Sequence, residues 1–193
     1  NPITRRLIEL TGCPLALPSA NITGKPSPTT AKHVLEDFNG HIEAVVDGGQ
    51  SVLGLESTVV SLEDPQSPLI HRLGPITHAD IEKVLAKRVQ LSSLTCFAQK
   101  GCKRYPTIRL FSTLEEVRIY LQLSSENKRL VMSREKIDTG KRKCQSFTLS
   151  TRNLYEGLRQ AQRESCSEVL VLCDSFIKQN ALLFNRLKQI AST

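Results

Sequence analysis

Apolar positions along this chain of 193 residues recur with two different periods, and the change between them divides it. Behind Asn1-Pro2, an N-cap followed by proline at the first helical position, Ile3, Leu7 and Leu10 fall at helical spacing, and Gly12 ends the turn. Pro14 to Leu17 reads as a brief apolar strand whose carboxyl end delivers Ser19-Ala20-Asn21 into a loop. Ser27-Pro28 repeats the cap-plus-proline signal, and Ala31, Val34, Leu35 and Phe38 predict the buried stripe of a second helix closed by Asn39-Gly40. Short strand candidates follow at Ala44–Val46, Ser57–Leu62 and Leu69–Leu73, separated by Asp47-Gly48-Gly49 and Asp64-Pro65. Thr77 with Asp80 three residues on opens a further helix that turns Ile81, Val84 and Leu85 inward.

From Lys87 to Pro106 the periodicity disappears, which predicts a linker over 89–106 between a unit at 1–88 and another at 107–193. Beyond it, strands at 107–111, 130–132, 147–149 and 169–173 alternate with helices at 114–123, 153–163 and 181–190. Such alternation predicts an α/β fold: a partial twisted sheet with helices, then a small doubly wound parallel α/β accessory domain.

Composition narrows the class. Hydrophobic content of 39% is that of a globular chain, and no apolar run approaches the ~20 residues of a bilayer span. A soluble, cytoplasmic protein without membrane partners is expected. The cysteines at 13, 96, 102, 144, 166 and 173 show no Cys-x-x-Cys pair and no clustered His, so no metal site is expected and a reducing compartment suits them. The net charge of +7 comes from the second half, and Lys128, Arg129, Arg134, Lys136, Lys141, Arg142 and Lys143 form a basic run. That run is either a solvated loop or a weak RNA footprint, which keeps a non-catalytic RNA-binding module as the alternative function.

The chemistry concentrates before Thr77. Neither a dinucleotide glycine fingerprint nor a Walker-type loop is present, so phosphate must be held another way. Ser19 and Asn21 at a strand end offer a hydroxyl and an amide to one phosphate, and the helix start at Ser27 attracts the same charge. Taken singly, each of these is also an ordinary turn or cap. Glu56-Ser57-Thr58 places polar groups at the entry of a β-branched run, and the Arg72 guanidinium can fork onto phosphate or stack on a base. None of the histidines at 33, 41, 71 and 78 has a nucleophile motif, so each is expected to be structural or solvated and acyl-enzyme chemistry has no support.

Ser19-Ala20-Asn21-Ile22-Thr23-Gly24-Lys25-Pro26-Ser27-Pro28-Thr29, Val46-Asp47-Gly48-Gly49, Glu56-Ser57-Thr58-Val59-Val60 and Arg72-Leu73-Gly74-Pro75-Ile76-Thr77 together resemble the YrdC-type L-threonylcarbamoyladenylate synthases. The trailing half is similar to the carboxyl-terminal extension of the two-domain members through Asn153–Leu158 and Leu183–Leu187. The resemblance implies a YrdC-like first unit and a nucleotidyltransferase that condenses L-threonine, bicarbonate and ATP, with Mg²⁺, to threonylcarbamoyl-AMP and pyrophosphate. The product would feed a tRNA threonylcarbamoyl-transferase machinery.

By position, the resemblance implies that Ser19, Asn21, Ser27, Arg72 and Tyr105 bind ATP, and that Leu17, through its backbone, and Ser57 hold L-threonine. The family's Lys-x-Arg element does not occur ahead of Ser19, so residues 1–88 are expected to form the carboxyl-terminal part of the catalytic domain and to be inactive alone. Arg72-Leu73-Gly74 stands where the family has Arg-Pro-Gly, and Lys103-Arg104-Tyr105-Pro106 is what remains of its Tyr-x-His-Tyr-x-Pro linker signature.

Overall fold

The computed structural model describes residues 1–92, 106–124, 127–140 and 143–191. Helix α1 (Pro2–Thr11) starts where Asn1 Oδ1 accepts the backbone N–H groups of Ile3 and Thr4. Helix α2 (Ala31–Phe38) is capped by Thr30, not by Ser27, and the residues it buries are His33 and Asp37. Of the apolar stripe expected there, Ala31, Val34 and Phe38 are only half-buried and Leu35 is 46% exposed. The reason is the surface it packs on: Glu156, Arg159 and Arg163 of the second unit call for an imidazole and a carboxylate on the inward face.

Strand β1 (Val59–Ser61) runs antiparallel to β2 (Leu69–Arg72), which is parallel to β3 (Gln90–Leu91). The register slips between Val59 and Val60, a bulge beside the Glu-Ser-Thr motif. Of the other expected strands, 14–17 and 44–46 are without regular structure and join no ladder among the described residues. Pro14 and Pro18 flank the first of these and bring no N–H to a ladder. Helix α3 (His78–Leu85) opens with a reciprocal capping box between Thr77 and Asp80. It turns only the Ile81–Leu85 row inward and leaves Val84 84% exposed.

The second unit holds β4 (Thr107–Phe111), α4 (Leu114–Leu123), β5 (Arg129–Ser133), β6 (Cys144–Thr148), α5 (Leu154–Arg163), β7 (Glu168–Leu172), α6 (Ser175–Gln179) and α7 (Ala181–Ala191). Its sheet is parallel throughout, in the order β4-β7-β5-β6. Strand alternation sorts the core into two layers. Leu130, Met132, Val169 and Val171 meet Leu158 of α5 and Leu187 of α7 on one face. Val131 and Leu170 meet Val117 and Leu121 of α4 on the other. This is the doubly wound parallel arrangement expected from the alternation of elements.

Candidate functional site

Glu56 is where the two units and the polar motifs meet. Its Oε1 accepts from Ser27 Oγ at 3.0 Å, from Arg186 Nη2 at 2.6 Å and from the Tyr155 hydroxyl. Arg186 also donates from Nε to the Tyr155 oxygen at 2.7 Å, so the guanidinium spans phenol and carboxylate. Burial pushes the Glu56 carboxyl up, but Arg186, Tyr155 and Ser27 outweigh it and hold it below the ordinary glutamate value. Burial and the Glu56 charge drive the Tyr155 hydroxyl strongly upward, so it stays a donor. An ionised Glu56 has no proton to give, and Ser27 therefore spends its own on Glu56. In this arrangement the Ser27 hydroxyl has only its lone pairs left to offer.

The residues before Glu56 seat it. Leu55 packs against the core of the α/β domain, and Gly54 lies so close to the 151–152 backbone that a Cβ there would fall 2.4 Å from Arg152 Cα. Residues after Glu56 close the motif onto 72–77. Arg72 Nε and Nη2 both donate to the Ser57 carbonyl, at 3.0 and 2.9 Å, and Nη1 is not used in that contact. Thr58 Oγ1 accepts the Gly74 N–H at 2.9 Å and donates to the Ile76 carbonyl at 2.6 Å. Gly74 permits this approach, since a Cβ would sit 2.4 Å from the Glu56 carbonyl oxygen.

The structure thus brings Ser27, Glu56, Ser57 and Arg72 into one connected set. Asn21 belongs to a neighbouring loop: its amide donates to the carbonyls of Ile22 at 3.2 Å and Lys25 at 3.1 Å, while Oδ1 is buried without a partner. Its N–H groups are committed locally, and its open valence is an acceptor. Ser19 and Leu17 are exposed, Leu17 at 67%, and no hydrogen bond among the described residues joins either to the Glu56 set. Tyr105 lies outside the described residues.

A second interdomain contact stands beside the first. Asp37 accepts from Lys25 Nζ at 2.8 Å and from both terminal nitrogens of Arg159, and Arg159 also donates to the Pro26 carbonyl at 2.6 Å. The Ser-Pro-Thr loop is thereby held from the carboxyl-terminal domain at Pro26 as well as at Ser27. His33 is buried, and its Nδ1 accepts the Thr29 backbone N–H at 3.1 Å. That bond assigns the ring proton to Nε2, which donates to Glu156. The cleft between the units, 710 Å³ in volume, is lined by Lys25, Glu36, Asp37, Arg159, Arg163 and Cys166 among others.

Glu56 as a hub with Tyr155 and Arg186 as its supports, and Asp37, His33 and Arg159 as the neighbouring contact, were not singled out in these roles from the sequence. Tyr155 and Arg186 did lie in the two segments that carry the weaker resemblance, so a signal existed. At least three of the seven cations in the basic run are paired: Lys128 with Glu164 at 3.3 Å, Arg129 with Glu168 at 2.6 Å, and Arg134 with Glu135 at 2.8 Å and Asp174 at 3.5 Å. Among the described residues no helix is long and apolar enough to cross a membrane.

The family model for Sua5, YciO and YrdC, described as telomere recombination, matches residues 1–74. The chain is 51% identical over 85 residues to a threonylcarbamoyl-AMP synthase of Pyrococcus abyssi, a match covering 44% of this chain and 25% of that protein. It is 48% identical over 85 residues to the protein of the same name from Bacillus subtilis, covering 44% of this chain and 24% of that protein. Each match thus spans about a quarter of the relative's length. All of this chain superimposes on 62% of the crystal structure of P. abyssi Sua5 complexed with L-threonine, with a TM-score of 0.70 and 29% identity. A structure of a doubly substituted P. abyssi Sua5 gives 0.71 and 30%, covering 100% of this chain and 61% of that one. Motif string and likenesses agree: residues 1–74 match the Sua5, YciO and YrdC family model, and the chain as a whole is similar in fold to Sua5.

Proposed function

We propose that the protein serves the synthesis of threonylcarbamoyl-AMP from L-threonine, bicarbonate and ATP, releasing pyrophosphate, as a cytoplasmic nucleotidyltransferase that supplies tRNA modification. The observation that carries this reading is that the Ser27–Glu56 and Arg72–Ser57 hydrogen bonds meet at adjacent residues of one motif, and all four residues lie in the stretch matched by the family model. Two relatives, 51% and 48% identical over 85 residues of this chain, are named threonylcarbamoyl-AMP synthase.

The chemistry asks for positioning and charge neutralisation. The threonine amine attacks the bicarbonate carbon with loss of water to give the N-carbamate, a carbamate oxygen attacks the α-phosphorus, and the bond from that phosphorus to the β-phosphate oxygen breaks as pyrophosphate leaves. Arg72, its Nε edge fixed by the Ser57 carbonyl, keeps Nη1 for a phosphate oxygen. Because the same contact holds the Ser57 backbone, the group assigned to threonine and the group assigned to phosphate are set relative to one another. Ser19 and Asn21 contribute from the adjoining loop, Asn21 through Oδ1, and the Leu17 backbone would hold threonine. Tyr105 is assigned to the nucleotide by the resemblance alone. Mg²⁺ would arrive with the triphosphate and spread its charge; among the described residues no cluster of three His, Cys, Asp or Glu stands ready to hold a metal by itself.

The test uses the full-length protein. Pyrophosphate release from ATP should require threonine and bicarbonate together, and Ser19→Ala and Arg72→Ala should each lower it at least about tenfold. Release that is indifferent to threonine would remove the reading.

A further inference from the structure

We infer that Tyr155 and Arg186 of the carboxyl-terminal α/β domain are positioning residues for the nucleotide and threonine site, acting through Glu56. The inference rests on the proposed function, and it gives the accessory domain a part in that reaction.

Ser27 and Ser57 stand on different loops, and Glu56 reaches Ser27 across 29 positions of chain. What keeps that carboxylate pointed at Ser27 comes from the other domain: two donors, one phenol and one guanidinium, converge on the oxygen that takes the Ser27 hydroxyl. Tyr155 is itself pinned, 1% exposed within the core that α5 and α7 share, so its hydroxyl is a rigid reference point. Gly54 against Arg152 and Leu55 in the same core bring the Glu56 backbone to this point. Ser57 follows directly, and its carbonyl orients Arg72.

Without the phenol and guanidinium, a partly buried carboxylate would lose the donors that offset its desolvation. It would then turn toward water or take up a proton, and either change frees Ser27 and loosens the Ser57–Arg72 contact. Docking of the α/β domain and order in the substrate site are therefore one event. Residues 128 positions apart, Ser27 and Tyr155, are linked through a single oxygen.

The experiment compares full-length wild type with Tyr155→Phe, Arg186→Gln and Tyr120→Phe. The last removes an equivalent phenol–carboxylate bond, Tyr120 to Glu168 at 2.7 Å, within the same domain. Tyr155→Phe should raise KM for ATP and for threonine by about fivefold or more with a smaller change in kcat, the size of one lost hydrogen bond to a charged group. Arg186→Gln should do at least as much, Arg186→Lys should recover part of it, and Tyr120→Phe should leave both KM values alone. In a Ser27→Ala background Tyr155→Phe should add less than about twofold for ATP, because the route it acts through is gone.

Amide hydrogen exchange is the second readout, independent of turnover. Tyr155→Phe should speed exchange at residues 27–31 and 56–60, and Tyr120→Phe should not. Unchanged exchange and unchanged KM in Tyr155→Phe, or a full additional effect in the Ser27→Ala background, would overturn the inference. Should wild type release no threonine-dependent pyrophosphate while Tyr155→Phe still loosens those segments, the coupling stands and the synthase reading falls.

Discussion

Arg159 grips both oxygens of Asp37, Nη1 to Oδ1 at 3.1 Å and Nη2 to Oδ2 at 2.8 Å, across 122 positions of chain. The Asp37 side chain is fully buried and that of Arg159 is 4% exposed. A buried pair of this kind contributes little net attraction once desolvation is counted, but it penalises separation, because either partner left alone is an uncompensated charge. Asp37→Ala should therefore cost about 3–5 kcal/mol in urea unfolding, and Arg159→Met a similar amount. The double variant Asp37→Leu with Arg159→Met should recover part of that loss, since no unpaired partner then remains.

Acid should act at the same contact. Burial pushes the Asp37 carboxyl up, but Arg159 and Lys25 outweigh it and hold it at about 2, against an ordinary 3.8. Glu168 is likewise held at about 2, below its ordinary 4.5, because Arg109, Tyr120 and Arg129 outweigh its burial. A carboxyl lowered in the folded state stabilises it fully above the unfolded value and loses that contribution as pH falls toward the folded one. Stability should thus decline between about pH 5 and pH 2, by about 2 kcal/mol for Asp37. Urea midpoints across that range should fall less steeply for Asp37→Asn than for wild type.

Two glycines mark close approaches. Gly54 has φ of 69° and would place a Cβ 2.4 Å from the Thr151 carbonyl oxygen. Gly54→Ala should separate the two units, seen as faster limited proteolysis between them, while the α/β domain keeps its own unfolding transition. At Gly74 the obstacle is the Glu56 and Thr58 backbone, at 2.4 and 2.5 Å. Gly74→Ala should push the 56–58 and 72–77 segments apart and abolish threonine-dependent turnover while the fold of the α/β domain survives.

How far the sequence could be read differs between the halves. Near-continuous apolar runs such as Val169–Leu172 and amphipathic helices such as α5 mark a parallel sheet covered on both faces, and Thr107–Phe111 and Leu154–Arg163 stand where their patterns place them. In the first half the polar motifs were legible as a string, but not the residue on which they converge. Glu56 looked like part of a strand entry, because the groups that make it a hub, Tyr155 and Arg186, lie 99 and 130 positions further on. Helix α2 misled for the same reason. A local apolar count favours Leu35, whereas its actual neighbours are the carboxylates and guanidiniums of α5 and select His33 and Asp37. Ser27 carried the sequence signal of a cap, yet Thr30 caps the helix, which leaves the Ser27 hydroxyl for Glu56.

The central claim, that this polar set serves carbamoyl-adenylate formation, is tested most directly by following carbon. Full-length protein incubated with ATP, L-threonine and ¹³C-bicarbonate should yield a threonylcarbamoyl-AMP one mass unit heavier than the product made from unlabelled bicarbonate. Arg72→Ala and Tyr155→Phe should both reduce the yield of that labelled adenylate. Consumption of ATP to AMP or ADP with no labelled adduct at the combined mass of threonine, carbon dioxide and AMP less one water would contradict it.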